Sequence, residues 1–178
     1  MQGLDLQALT QTAVEFIRAH QGWGFFVVML LAFGESLAFI SLLVPATVIL
    51  LGVGFLVGES GISFWPLWAA AAIGAFFGDW LSFWIGLKLK GDVVRYWPLS
   101  RNPDLLQRGH RFFERWGTLG VFVGRFSGPL RASMPLVAGI CDMSPMAFQL
   151  ANVTSAMIWA AGILAPGAFG LKWLQGWI

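Results

Sequence analysis

The sequence predicts an all-α polytopic membrane protein with spanning helices, two opposed re-entrant helical hairpins and amphipathic surface helices. Hydrophobic residues make up 57% of its 178 residues and charged residues 11%, with a mean hydropathy of +0.72. Its long apolar segments are interrupted by prolines and by isolated charges. These features indicate an integral membrane protein rather than a soluble domain. We expect one membrane domain over residues 1–178, because each full span needs about 20 residues.

The first element is an amphipathic helix over Leu4–His20. Its apolar residues recur at helical spacing and its polar residues fall elsewhere: Leu6, Leu9, Ala13, Phe16 and Ile17 against Gln7, Gln11, Glu15 and Arg18. Such a helix lies on the membrane surface or packs against the bundle. No basic segment precedes the first apolar run, which begins at Trp23, so no cleavable signal peptide is expected.

A broken apolar segment runs over Trp23–Val57. Its 35 residues are too many for one straight span and too few for two spans with a turn. It contains one acid, Glu35, and one proline, Pro45, and proline interrupts a helix because it lacks an amide donor. Two courses fit: a helix followed by a re-entrant hairpin, or one bent hairpin, in either case with a break at Pro45.

The clearest spanning helix is predicted over Phe64–Leu87, with Asp79 in its second half. Seven of the 11 Lys and Arg residues fall in the Lys88–Trp116 loop that follows, so the positive-inside rule places this loop in the cytoplasm. Gly74 and Gly78 give the helix a small-residue face, which fits either a homodimer contact or an internal helix contact.

A second surface helix is predicted to begin within that loop. Asn102 is suited to cap it and Pro103 to occupy its first position. Apolar and basic residues lie on different faces: Leu105, Phe112 and Trp116 on one, Arg108, Arg111 and Arg115 on the other. The basic face suits anionic headgroups. Because membrane topology accounts for these charges, we expect no nucleic-acid partner.

The second half of the chain centres on Gly124–Gly139, which reads GRFSGPLRASMPLVAG. Its two arginines lie in an apolar run, where each costs about 2.5–3.5 kcal/mol at mid-bilayer. Broken backbone at membrane depth survives only where it is buried in protein or lines a cavity. We therefore expect a second re-entrant hairpin, with breaks at Gly128, Pro129 and Pro135.

A last spanning helix is predicted over Pro145–Gly170, and the order of elements then repeats. Surface helix, broken hairpin and spanning helix occur twice, over residues about 4–87 and about 100–172. The two repeats are aligned on two sets of residues with the same spacing: Gly34-Glu35 followed by Pro45, and Gly124-Arg125 followed by Pro135. With the basic loop inside, the hairpins enter from opposite sides and form an inverted repeat. Transporters commonly bind substrate where such elements meet.

Four ionisable residues lie inside apolar segments: Glu35, Asp79, Arg125 and Arg131. Their charges sum to zero, so one interpretation is a set of internal salt bridges. The other gives the arginines an anionic ligand, since their planar forks match phosphate oxygens. A break at Gly128-Pro129 would let both arginines converge, and a helix starting at Pro129 would aim free amides at the same anion.

Glu35 and Asp79 are also candidates for proton coupling, because apolar surroundings favour a protonated carboxyl group. A catalytic or metal centre is not expected. Cys141 is the single cysteine, and His20 and His110 are isolated. The sequence therefore predicts no enzyme activity, no metal and no cofactor.

The resemblance of this chain to a known family rests on three motifs: Gly34-Glu35, Gly78-Asp79 with Ser82, Trp84 and Gly86, and GRFSGPLRASMPLVAG ending near Met143 with Phe148 beyond. Together these resemble the DedA family, also called the SNARE-associated Golgi or VTT-domain family, over roughly Trp23–Ala161. The family's functional acids and arginines fall on the four ionisable residues. Many members carry Pro-Gly-Asp or Pro-Ser-Glu where this chain has Pro45-Ala46-Thr47, so an extra carboxylate is missing here.

The resemblance implies lipid transport across the bacterial inner membrane. It favours a flippase for a lipid phosphate such as undecaprenyl phosphate, dependent on the proton motive force, with the four ionisable residues binding the headgroup. A phosphatidylethanolamine flippase or scramblase is the alternative, because a zwitterionic headgroup needs sites of both signs. A third hypothesis is a non-transporting scaffold for membrane homeostasis, in which the charges are structural.

Overall fold

The computed structural model describes residues 21–37, 46–60, 62–89, 104–127, 131 and 133–175. This part of the chain is all-α, as predicted, and forms six helices: α1 (Gln21–Ser36), α2 (Ala46–Ser60), α3 (Phe64–Leu89), α4 (Asp104–Gly124), α5 (Met134–Ile140) and α6 (Pro145–Gln175). Several predicted features lie outside the described residues: the Leu4–His20 helix, the Asn102-Pro103 cap and the breaks at Pro45, Gly128 and Pro129.

Two of the described helices are long and apolar enough to cross a bilayer, namely α3 and the Pro145–Gly170 part of α6. They begin where the spanning helices were predicted to begin. The apolar helices α1 and α2 have 16 and 15 residues, which is short of the about 20 residues that a full span needs. The re-entrant course of the short helices and the inverted repeat stay predictions.

The packing of short helices on long ones is reciprocal between the two halves of the chain. Helix α1 packs along α3 and α4 packs against α6, each within its own half. Helix α2 instead lies along α6, and α5 lies along α3. Each long helix therefore contacts a short helix from the other half. Separating the two halves would expose the packed surfaces of both of these contacts.

Glycines permit the closest of these helix contacts. A Cβ added at Gly74 would overlap the carbonyl oxygen of Met29 in α1, and one at Gly78 would lie 2.6 Å from the carbonyl oxygen of Phe33. The small-residue face of α3 is therefore used in an internal contact. A Cβ at Gly54 of α2 would lie 2.7 Å from the Leu164 carbonyl oxygen in α6.

Helix α4 is kinked at Gly117, where φ is 43° and ψ is −122°. Glycine reaches this region of positive φ at little cost because it has no Cβ. Of the residues predicted on its apolar face, Phe112 packs against the core and Trp116 is 51% exposed. Phe113, which the prediction did not include, is buried. Trp116 directly precedes the kink and lies under the guanidinium of Arg115.

Two apolar clusters fill the interior, and buried polar residues lie between them. The first cluster draws on α1, α2, the first half of α3 and α6 from Ala156 onward; the second draws on α3 beyond Ser82, α4, α5 and the start of α6. The polar layer is buried between these clusters and consists of Glu35, Ser36, Asp79, Ser82, Arg125, Asn152 and Ser155. On α3, Asp79 falls between Ala75 of the first cluster and Phe83 of the second.

Candidate functional site

Arg125 lies in the turn directly after α4 and reaches both long helices. Its Nη2 donates to the carboxylate of Asp79 on α3 and, at 2.7 Å, to Oδ1 of Asn152 on α6. The side chains of Arg125 and Asp79 are only 3% and 8% exposed. One guanidinium nitrogen therefore joins α3 to α6 in the middle of the polar layer.

Asn152 is held in a single orientation by its partners. Its Nδ2 donates to the Phe76 carbonyl oxygen at 3.1 Å and to Gln149 Oε1 at 3.4 Å, which uses both amide hydrogens. Its Oδ1 is thereby directed at Arg125. A reversed amide would present N–H groups to the guanidinium, so the contact with Arg125 requires the observed orientation.

Arg131, in the broken segment between α4 and α5, pairs with the other acid. Its Nη1 donates to Glu35 Oε1 at 2.9 Å. The guanidinium also lies over the ring of Trp159 on α6, 4.3 Å from the centroid, a distance at which a cation is attracted to the aromatic face. Trp159 is itself buried, so the arginine is held between α1 and α6.

Thr47 adds a second donor to Glu35. Its hydroxyl, in the first turn of α2, donates to the same Oε1 atom that Arg131 contacts. Thr47 is the second residue after Pro45, the position at which this chain lacks the extra carboxylate. A neutral hydroxyl stands there and donates to Glu35.

The four ionisable residues predicted as the site are brought together in one cluster. Asp79 interacts electrostatically with both arginines, and Arg131 interacts with both acids and with Arg125. The acids pair with the arginines, Asp79 with Arg125 and Glu35 with Arg131. Each pair joins an acid of the N-terminal half to an arginine of the C-terminal half.

The ion pairs leave hydrogen-bonding capacity unused. Within the described part of the chain, Arg125 Nε and Nη1, Arg131 Nη2 and Glu35 Oε2 are buried and have no hydrogen-bond partner. Leaving buried charged donors unpaired costs free energy, so each such group calls for an explanation. Guanidinium N–H groups that project away from their own salt bridges suit the oxygens of a further anion.

The segment between the arginines is described in part. Arg131 and Ser133 lie in turns, and the helix that follows begins at Met134. The predicted breaks at Gly128 and Pro129 and the predicted helix start at Pro129 lie outside the described residues. Pro135 falls in the first turn of α5, where its missing amide hydrogen has no helical partner to lose.

Replacing Thr47 by valine is expected to lower the free energy of unfolding by about 0.5–1.5 kcal/mol, because Glu35 loses one donor but keeps Arg131. Melting of the purified protein in detergent measures this. Thr154→Val is the matched control, since the Thr154 hydroxyl bonds only to backbone carbonyls of its own helix. Equal melting of the two variants would contradict the Thr47–Glu35 contact.

Comparison with known proteins relates the chain to a described family. The family model of the VTT domain matches residues 44–169. The inner membrane protein YabI of Escherichia coli K12 is 36% identical over 162 residues, which are 91% of this chain and 63% of that protein. The membrane protein BU139 of Buchnera aphidicola subsp. Acyrthosiphon pisum is 30% identical over 152 residues, 85% of this chain and 59% of that protein.

A third relative is the inner membrane protein YghB of Salmonella typhimurium, 28% identical over 147 residues, 80% of this chain and 66% of that protein. The chain thus spans about three fifths of the length of the first relatives it matches, with coverages of 63%, 59% and 60%. No solved structure matches the chain.

Proposed function

Because the chain belongs to the VTT-domain family, also called the DedA family, we propose that it moves a lipid phosphate across the bacterial inner membrane. The observation that carries this proposal is the set of unused guanidinium donors on Arg125 and Arg131, buried where the two halves of an apolar protein meet. The resemblance favours undecaprenyl phosphate as the lipid. The reaction is translocation, with no covalent bond made or broken, so the protein is a transporter rather than an enzyme.

The phosphate is the only part of such a lipid that needs a polar path. Its oxygens accept from Arg125 Nε and Nη1 and from Arg131 Nη2. The remaining donors are used by the acids, since Asp79 accepts from Arg125 Nη2 and Glu35 accepts from Arg131 Nη1. The hydrocarbon chain stays in an apolar environment throughout. A small protein with one buried polar layer is therefore sufficient for the task.

Charge balance couples this step to protons. Two acids and two arginines sum to zero, so a bound phosphate adds uncompensated negative charge in a poorly solvated layer, which is costly. Protonation of Glu35 or Asp79 restores neutrality and also releases an arginine from its ion pair. We therefore expect an imposed proton gradient to change the transport rate.

Transport of labelled undecaprenyl phosphate into liposomes tests the proposal. Arg125→Lys is expected to slow it at least about tenfold, because an ammonium group cannot replace the fork that contacts Asp79, Asn152 and phosphate together, and a charge-assisted bond is worth about 1.5–3 kcal/mol. Arg115→Lys, the same change on the exposed face of α4, should keep the wild-type rate. An undiminished rate in a folded Arg125→Lys protein would contradict the proposed site.

A second candidate is a flippase or scramblase for phosphatidylethanolamine. Glu35 Oε2, a buried acceptor without a partner, favours it, because an ammonium group needs an acceptor beside the phosphate site. Competition between the two lipids in the same liposomes separates the candidates. Inhibition of undecaprenyl phosphate transport by an excess of phosphatidylethanolamine would favour the zwitterionic lipid.

A further inference from the structure

An apolar groove lies between α3 and α6, and the buried polar layer borders it at one end. The groove has a volume of about 270 Å³ and is lined by side chains that include Trp68, Ala69, Ile73, Phe76, Val153 and Met157. Ile73, Val153 and Met157 are 39%, 42% and 44% exposed, so the groove opens to the surroundings of the protein along its length.

The two ends of the groove differ in chemistry. At one end, Trp68 Nε1 donates to the Met157 carbonyl oxygen at 3.0 Å and ties the two helices together. At the other end, Phe76 lines the groove and its carbonyl oxygen accepts from Asn152, which in turn accepts from Arg125. Phe76 therefore belongs both to the groove and to the hydrogen-bond network of the candidate phosphate site.

We infer that this groove holds the hydrocarbon chain of the lipid whose phosphate is bound by Arg125 and Arg131, an inference that rests on the proposed function. Head and chain of a lipid are covalently joined, so a phosphate in the polar layer needs an apolar exit that starts there. The groove provides one from Phe76 to Trp68, about 12 Å at the helical rise of 1.5 Å per residue. Its lining is almost entirely hydrocarbon and aromatic.

Two other apolar grooves in the described part of the chain lack this connection. One is lined by Phe33, Phe77, Trp80, Leu81 and Trp84, and another lies along the outer face of α6 beside Ala165 and Phe169. The hydrogen bonds of Arg125, Asn152 and Phe76 run to none of these residues. Of these three grooves, the α3–α6 groove is thus the one that the hydrogen-bond network of Arg125 and Asn152 reaches.

Binding of alkyl phosphates to the full chain in nanodiscs tests this assignment. Butyl phosphate reports on the head site alone, whereas dodecyl phosphate also requires the groove. In Ala69→Trp the indole fills the groove, so dodecyl phosphate affinity is expected to fall about tenfold, roughly the loss of two buried methylene groups, with butyl phosphate affinity unchanged. Met157→Trp, which fills the groove from α6, should give the same result.

Ala165→Trp is the matched control, because Ala165 is also a half-buried alanine that lines an apolar groove. It should bind both alkyl phosphates as the wild type does. Unchanged dodecyl phosphate affinity in both groove variants would overturn the inference, as would an equal loss for the two probes, which would mean a disturbed head site. Failure of the wild type to bind even butyl phosphate would instead remove the proposed function, and the inference with it.

Discussion

Replacing Asp79 by leucine is expected to lower the free energy of unfolding by about 3–5 kcal/mol, because removal of one partner leaves the other charge of a buried pair uncompensated. The Arg125 side chain is only 3% exposed and lies between Asp79 of α3 and Asn152 of α6. Its remaining partner would be the neutral amide of Asn152. Melting in detergent or unfolding by a denaturing detergent measures the loss.

The double variant Asp79→Leu with Arg125→Met separates stability from transport. Apolar residues of similar volume can replace a buried ion pair at little or no cost, so most of the lost stability should return, less about 1–3 kcal/mol for the unpaired Asn152 oxygen. Transport should be abolished, because Arg125, which binds the phosphate in the proposed site, is absent. A stable double variant that transports at the wild-type rate would contradict the proposed phosphate site.

Replacing Gly74 by alanine is expected to lower the free energy of unfolding by about 3 kcal/mol, the upper end of the range for overpacked sites. The added Cβ would overlap the carbonyl oxygen of Met29. A backbone atom cannot rotate away as a side chain can, so α1 and α3 would have to separate. Detergent melting and the yield of folded protein after purification both report the change.

Gly52→Ala is the control for this substitution. A Cβ at Gly52 would have no atom within 4 Å, so the variant should be as stable as the wild type or more so, by up to about 1 kcal/mol of helix propensity. If Gly74→Ala melted at the same temperature as Gly52→Ala, the backbones of α1 and α3 could not be in the described contact.

The charged members of the site could be predicted because charges are rare in apolar segments. Glu35, Asp79, Arg125 and Arg131 stand out against their neighbours, and all four meet. Which acid pairs with which arginine could not be predicted, because it depends on how the turn after α4 enters the space between α3 and α6.

The neutral members of the site were harder to find from the sequence. Asn152 and Thr47 carry no charge, and such residues are tolerated at many places in apolar helices, so their types alone do not mark them. Trp159 could be taken for an ordinary apolar residue until Arg131 was found over its ring. A polar residue within a predicted span, as Asn152 is, was the one available signal.

The starts of the two long helices could be predicted because each apolar segment has a proline at its start, Pro66 in α3 and Pro145 in α6. The kink at Gly117 could not, because a glycine within a helical pattern does not reveal its own φ. The start of α5 at Met134 could not be predicted for a similar reason. Both Pro129 and Pro135 are compatible with a first helical turn, so the sequence alone does not show at which of them a helix begins.

The joining of each acid to an arginine from the other half has a consequence for synthesis at the ribosome. Glu35 and Asp79 emerge before Arg125 and Arg131, so the nascent N-terminal half enters the bilayer without its counter-ions. A carboxylate can become neutral by binding a proton before its arginine partner has been synthesised. A guanidinium group keeps its charge and cannot be neutralised in this way. If the arginines preceded the acids in the sequence, they would enter the hydrocarbon as permanent cations without counter-ions, at a cost of about 2.5–3.5 kcal/mol each. Acids first and bases last is thus the order in which a half-made chain is tolerated by the membrane.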